Sequence, residues 1–185
     1  VGQKPGGGAA ATLIRVAEAE LGQDLRQQVQ ALLQASFPGY PARSYFKLPP
    51  HFRYLAMTGD ALAGQMGVEL RVIRVGPHVV RTFGISDLCV RESERSRGLA
   101  ARLLAEVTRL ARACELDFVI LFADDHRLYR RNGWARAANP CTWVKIDDHT
   151  TLGLATAQDT KALMVKATGQ QAWPGGDVDL LGHLF

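Results

Sequence analysis

The amino-acid sequence predicts an α/β fold, a mixed and mostly antiparallel sheet flanked by helices. Three observations carry that expectation. Strand-like segments run from Phe52 to Val90, broken at Gly59-Asp60 and Gly76-Pro77, which is the pattern of an antiparallel meander. An amphipathic stretch of helical period follows, from Gly98 to Cys114. Asp117 to Phe122 (DFVILF) is then a short continuous apolar run, suited to a strand buried on both faces.

Taken in order, the glycine- and alanine-rich residues Val1 to Ala11 read as a flexible tail, and residues 12–185 as a single domain. Thr12 to Ala17 suits a first strand. Gly22 to Ser36 follows a helical period, with Leu25, Val29, Leu32 and Leu33 on one face, and Pro38-Gly39 stops it. Phe52 to Met57, Ala61 to Val75 and His78 to Val90 are the meander strands, with Gly64 and Gly67 as bend or bulge points. The helix after Gly98 places Leu99, Leu103, Val107, Leu110 and Cys114 on one side, and arginines with Glu106 on the other. Beyond the DFVILF run, Asp124 or Asp125 is placed to cap a short helix carrying Leu128 and Tyr129, which Asn132-Gly133 terminates. Trp134 to Ala137, Thr142 to Ile146 and Ala162 to Ala167 read as further strands.

Composition narrows the functional classes. A 185-residue chain with 47% hydrophobic and 22% charged residues can bury a sizeable core, and no apolar stretch is long enough to span a bilayer. Neither a leader peptide nor a membrane partner is expected, and the three scattered cysteines suit a reducing cytoplasm rather than a disulfide framework or zinc site. A formal charge of +4 suits either nucleic acid or a polyanionic cofactor. Basic residues are not interleaved with aromatics, so a nucleic-acid partner ranks last.

The residues that point to chemistry begin at Arg95-Ser96-Arg97-Gly98-Leu99-Ala100, between a strand and an amphipathic helix. Small residues there let a ligand approach the backbone, and the free amides of a helix's first turn attract an anion. Arg95 or Arg97 adds charge-assisted contacts to phosphate. Gly98 should tolerate almost no side chain. The second signal is Leu128-Tyr129-Arg130-Arg131-Asn132-Gly133-Trp134 after the apolar strand. The consecutive Asp124, Asp125 and His126 lack a partner cluster, so no metal is expected.

Together, Arg-x-x-Gly-x-Ala opening a helix, then a strand, then Leu-Tyr-x-x-x-Gly-Trp resembles the acetyl-CoA-binding half of the GNAT superfamily of N-acetyltransferases, over about residues 61 to 137. The resemblance implies a GNAT-like sheet that splays near Val90, and acetyl-CoA or another acyl-CoA as co-substrate without a metal. Its pyrophosphate would lie on the amides of Arg97 to Ala100, and its pantetheine arm along Leu88, Cys89 and Val90. An amide at Cys89 or Val90 would stabilise the oxyanion, and Tyr129 would protonate the departing thiolate after direct attack by a primary amine. Three positions depart from the family pattern: a longer connection from Val90 to Gly98, Phe122 where asparagine is frequent, and Ala100 where glycine is frequent.

For the base that takes the amine's proton, Asp87 is the first candidate, on a strand face with Phe83, Ile85 and Cys89, and Glu69 is the second. An ordered water chain is the alternative to both. Tyr129 could equally be a core aromatic. Cys89 is read as a small buried hydrophobe rather than a nucleophile. Near the C-terminus, Trp173-Pro174-Gly175-Gly176-Asp177-Val178-Asp179-Leu180 more weakly resembles aminoglycoside 2′-N-acetyltransferases, with something of the layout of nodulation-factor acyltransferases. That nominates a small-molecule amine acceptor, an amino sugar among others. The rival function is a non-catalytic acyl-CoA-binding or sensing module. Oligomeric state stays open, homodimer included.

Overall fold

The computed structural model describes residues 10–160 and 162–185. The meander forms as expected: β1 (Thr12–Ala17), α1 (Gln23–Ser36), β2 (Phe52–Thr58), β3 (Ala61–Val75) and β4 (His78–Val90). Next come α2 (Leu99–Ala113), β5 (Phe118–Phe122), α3 (Arg127–Arg131) and β6 (Ala135–Arg136). The last strands are β7 (Cys141–Asp147), β8 (Thr150–Ala157), β9 (Leu163–Ala167) and β10 (Val178–His183). All ten belong to one sheet, antiparallel except where β5 meets β4 and β10 meets β7.

The long strand β3 organises the sheet. One edge takes β4, followed outward by β5, β9 and β6. The opposite edge is shared: β2 and β1 occupy its first half, and β10, β7 and β8 continue from Arg74 and Val75. On one face, α2 buries Leu103, Leu104 and Val107 with Val68, Phe83, Ile85, Val119 and Leu121. On the other, α1 packs Val29 and Leu33 with Leu55, Leu62 and Cys89. Phe118 and Ile120 alternate with Val119 on β5 and join a further cluster with Ile73, Leu163 and Leu180, where the Trp173 ring meets Phe118 edge-on at 4.9 Å.

Two departures from regular pairing prepare the site. β5 accompanies β4 only from Thr82 to Ile85, whereas β4 continues to Val90 with β3 alone, so the sheet splays along its last residues. Within that stretch Ser86 faces Gly67 and Cys89 faces Gln65, so Asp87 and Leu88 together oppose Met66. This is a β-bulge, with Asp87 at φ +55°. It corrects the expected strand face. Phe83 and Ile85 point toward α2, but after the bulge Cys89 points toward α1, in company with Tyr40 and not with Phe83.

The remaining corrections are local. β8 and β10 were not anticipated, and the expected strand Trp134 to Ala137 reduces to the two residues of β6. His126, rather than Asp124 or Asp125, precedes α3, although Asp125 Oδ1 still accepts the Arg127 amide at 3.0 Å. Of the expected tail, residues 1–9 lie outside the described residues. Ala11 is buried, and its carbonyl accepts Arg102 Nη2 at 2.9 Å. No helix among the described residues is long and apolar enough to cross a membrane.

Arg53 of β2 is fully buried, an unusual place for a guanidinium. Its Nε donates to Glu18 Oε2 at 2.6 Å, Nη1 to Gln65 Oε1 at 2.9 Å and Nη2 to the Ser44 carbonyl at 2.6 Å. The group thus ties the segment before α1, the chain after α1 and β3 into one polar knot. Arg53→Met leaves Glu18 without its partner in a poorly hydrated place, so the variant should lose about 3 kcal/mol of stability, read as a lower midpoint in urea denaturation.

Candidate functional site

Gly98 precedes α2 with φ +77° and ψ 7°, a left-handed conformation open to glycine at little cost. It offers no capping side chain, so the first amides of α2 have no side-chain cap. The first intrahelical bond runs from the Arg102 amide to the Gly98 carbonyl at 3.0 Å. A methyl group built on Gly98 would meet nothing within 4 Å. The expectation that a side chain would not fit is therefore refined: backbone conformation sets the constraint, and the space above the turn is open. Uncapped helical amides beneath open space fit a polyphosphate.

The preceding connection absorbs its extra length in a 3₁₀ turn at Glu92–Glu94, and Ser96 also takes positive φ, 62°. Its two arginines differ. Arg97 Nη1 is paired with Glu94 Oε2 at 3.0 Å, whereas Arg95 lines a groove with Leu88, Cys89, Val90, Ala100 and Tyr129. Arg95 Nε donates to the Val90 carbonyl at 3.3 Å. The groove has a cavity volume of about 240 Å³ and follows the edge of β4 left free by β5. Because the Arg91 amide donates to Ala63 of β3 at 2.8 Å, ladder alternation turns the amide of Val90 away from β3 and that of Cys89 toward it.

Tyr129 enters the groove from α3, its ring tilted against Trp134 at 5.9 Å. No described residue hydrogen-bonds its hydroxyl. Burial, helped by the charge of Asp125, raises its pKa above the ordinary phenol value. Burial also pushes the Cys89 thiol up to about 11, which leaves it protonated and unsuited to nucleophilic attack.

On the other side of the bulge lies a second cavity of about 210 Å³, which holds both carboxylate candidates. Asp87 Oδ2 accepts the Tyr40 hydroxyl at 2.6 Å. Burial raises the Asp87 pKa, and the Tyr40 bond with the nearby Arg53 and Lys47 charges offsets this only in part. Burial and the Asp87 charge drive the Tyr40 phenol upward in turn, so it stays the donor. Glu69 differs. Burial would raise its pKa too, but bonds from His183 and Arg71 outweigh it and the net shift is downward. Arg71 Nη2 donates to Glu69 Oε2 at 2.6 Å and lies 2.8 Å from both ring nitrogens of His183. His183 Nε2 is in turn 3.3 Å from Glu69 Oε1, so the three side chains form one cluster.

The structure thus gathers Leu88, Cys89, Val90, Arg95, Ala100 and Tyr129 around one groove and Asp87 with Glu69 around an adjoining cavity, with Phe37 lining both. Sequence reasoning missed Tyr40, Lys47, His183 and Phe185, which reach the second cavity from distant segments. Phe185 lies over Gly84, where any Cβ would run into its ring; the meander glycine was the one available signal. Gln65 was missed as well: its side-chain amide donates to the Asp87 carbonyl and so fastens the bulge.

A carboxyl whose folded pKa lies above its unfolded value of about 3.9 favours folding fully only below that value. It loses the contribution as pH rises through the folded pKa. Asp87→Asn, which keeps an oxygen for Tyr40, should therefore be more stable than the wild type at pH 7, with the advantage vanishing toward pH 4. Denaturant titrations at the two pH values check it.

Comparison with known proteins places this geometry. The family model described as an acetyltransferase (GNAT) domain matches residues 15–137. A search of curated proteins by sequence gives no match. Among solved structures, the GNAT family N-acetyltransferase YhbS from Escherichia coli, in complex with CoA, superposes with a TM-score of 0.65 at 16% identity, covering 96% of this chain and 93% of that one. A GNAT family acetyltransferase from Brucella melitensis, in complex with acetyl-CoA, gives 0.58 at 14% identity, covering 90% and 94%. A GCN5-related N-acetyltransferase from Kribbella flavida gives 0.56 at 17% identity; the match covers 73% of this chain but only 36% of that one, so this chain spans little more than a third of it. With the family model matching residues 15–137 of the 185, and the overall fold shared with solved members, the chain belongs to the GNAT acetyltransferase family.

Proposed function

We propose that the chain is an N-acetyltransferase that moves an acetyl group from acetyl-CoA to the primary amine of a small molecule. The observation that carries this reading is the junction at the β4 bulge. A groove that reaches Ala100 at the uncapped start of α2 lies beside a cavity holding the partly buried Asp87 carboxylate, and Phe37 lines both. The CoA and acetyl-CoA bound by the Escherichia coli and Brucella melitensis relatives support the choice of cofactor.

In this reading the amides of Leu99 and Ala100, with Arg95 beside them, hold the pyrophosphate, and the free edge of β4 from Leu88 to Val90 aligns the pantetheine arm. Bound acetyl-CoA supplies the thioester carbonyl carbon, to which the amine nitrogen bonds as the carbon–sulfur bond breaks. Asp87, with its raised pKa, accepts the proton that the amine loses, directly or through a water. The outward amide of Val90 offers a hydrogen bond to the carbonyl oxygen as charge develops there. Tyr129, whose hydroxyl has no hydrogen-bond partner among the described residues, delivers a proton to the thiolate. Glu69 is assigned no proton transfer: held by Arg71 and His183, it fixes the cavity wall.

Two variants separate these roles. Tyr129→Phe should lower kcat by about a hundredfold and leave the acetyl-CoA Kd within about twofold of the wild type, as read by thiol release and by calorimetry. Gly98→Asp places a negative charge over the uncapped amides and should weaken acetyl-CoA binding at least about tenfold. Unchanged affinity by calorimetry would remove the pyrophosphate from this turn.

A further inference from the structure

The cavity beside Asp87 has walls and a floor of different chemistry, and the two together select among amines. Its walls are aromatic. The Phe37, Tyr40 and Phe46 rings succeed one another at centroid distances of 5.9 and 5.5 Å, and Phe185 lies across from them on Gly84. The Arg71 guanidinium stacks over the Phe185 ring at 4.7 Å, a contact that helps hold the ring in place.

The floor offers one anionic group. Of the two carboxylates, Glu69 is neutralised by Arg71 and bonded by His183, while Asp87 accepts the neutral Tyr40 hydroxyl at 2.6 Å and has no cation in direct contact among the described residues, the Arg53 and Lys47 charges acting at longer range. The wall adds a cation: Lys47 Nζ bonds the Leu184 carbonyl at 3.2 Å and sits 6.0 Å from the Phe46 ring centroid. Phe46 itself is half exposed, whereas the Lys47 side chain is partly buried and within range of the charges of both Asp87 and Glu69.

We propose that the acceptor is a small monoamine with a one-ring aromatic body, its ring between Phe37, Phe46 and Phe185 and its amino group at Asp87. This rests on the acetyltransferase reading above and narrows its substrate. An apolar cavity of about 150 Å³ accommodates a benzene, so the 210 Å³ here suits one ring with a short aminoalkyl arm. A polyamine or multiply charged amino sugar would bring a second cation to a cavity that already holds the Lys47 ammonium and whose other carboxylate, Glu69, is already paired with Arg71, and would set hydroxyl or ammonium groups against the Phe37, Phe46 and Phe185 rings.

The test has two arms on the full chain. Calorimetry measures binding of 2-phenylethylamine, glucosamine and spermidine to the protein alone, and thiol release with acetyl-CoA gives kcat/KM for each. The expected result is that 2-phenylethylamine binds most tightly and is acetylated at least about tenfold more efficiently than the other two. Phe46→Ala should raise its KM about tenfold without changing the KM for acetyl-CoA. If acetyl-CoA binds but glucosamine or spermidine is preferred, or all three react alike, the substrate assignment is overturned and the acetyltransferase reading stands. If acetyl-CoA does not bind, that reading falls, and the amine titrations alone decide the cavity: preference for 2-phenylethylamine upholds the aromatic assignment and its absence overturns it.

Discussion

One extra residue in β4 sets the terms for everything at the site. By opposing Met66 with both Asp87 and Leu88, the bulge reverses which face later residues of the strand present, and it does so where β5 has already parted from β4. Cys89 turns into the core under α1, Leu88 and Val90 keep to the α2 side, and the strand edge stays free for a ligand. A non-glycine residue at positive φ needs outside support. Gln65 supplies it through the Asp87 carbonyl, and Gln65 is in turn held by fully buried Arg53. A polar chain of three side chains, from Glu18 through Arg53 to Gln65, thus supports the backbone at the junction of the two cavities.

Electrostatics then divides labour between two carboxylates in one cavity. Both are desolvated, which alone would push both upward, but Glu69 has an arginine and a histidine in direct contact, whereas the Arg53 and Lys47 charges near Asp87 offset its burial only in part. Tyr40 can stabilise the Asp87 anion with one hydrogen bond and no charge. The same scaffold therefore holds one acid firmly ionised as structure and leaves the other poised to change protonation, the separation of environments on which acid–base chemistry depends.

Much of the fold was legible in the sequence because its first half is built from local signals. Alternation and two glycine turns delimit β3 and β4, and the DFVILF run marks β5. The start of α2 was legible for the same reason, since Gly98 and its neighbours lie together in sequence. The bulge was not: at the level of pattern, Asp87 continues the alternation of Phe83 and Ile85, and only the pairing with β3 shows the extra residue. β8 was missed because an edge strand exposed along most of its length has little apolar periodicity to detect. β10 was missed because its partners, β3 and β7, are distant in sequence. Tyr40, Lys47 and His183 escaped notice for that second reason: each is an unremarkable residue until folding brings it to Asp87.

The insertion of β10 between β3 and β7 has a bearing on how such a protein can change over evolutionary time. The residues of the turn before α2, Arg95 to Ala100, and those that β10 and the residues after it bring to the cavity beside Asp87, His183 to Phe185, come from separate stretches of chain. Under the proposed function, substitutions in the second stretch would reshape one wall of the cavity and alter the acceptor without touching the turn proposed to hold the cofactor. Acceptor range and cofactor binding would then be open to change independently within one gene.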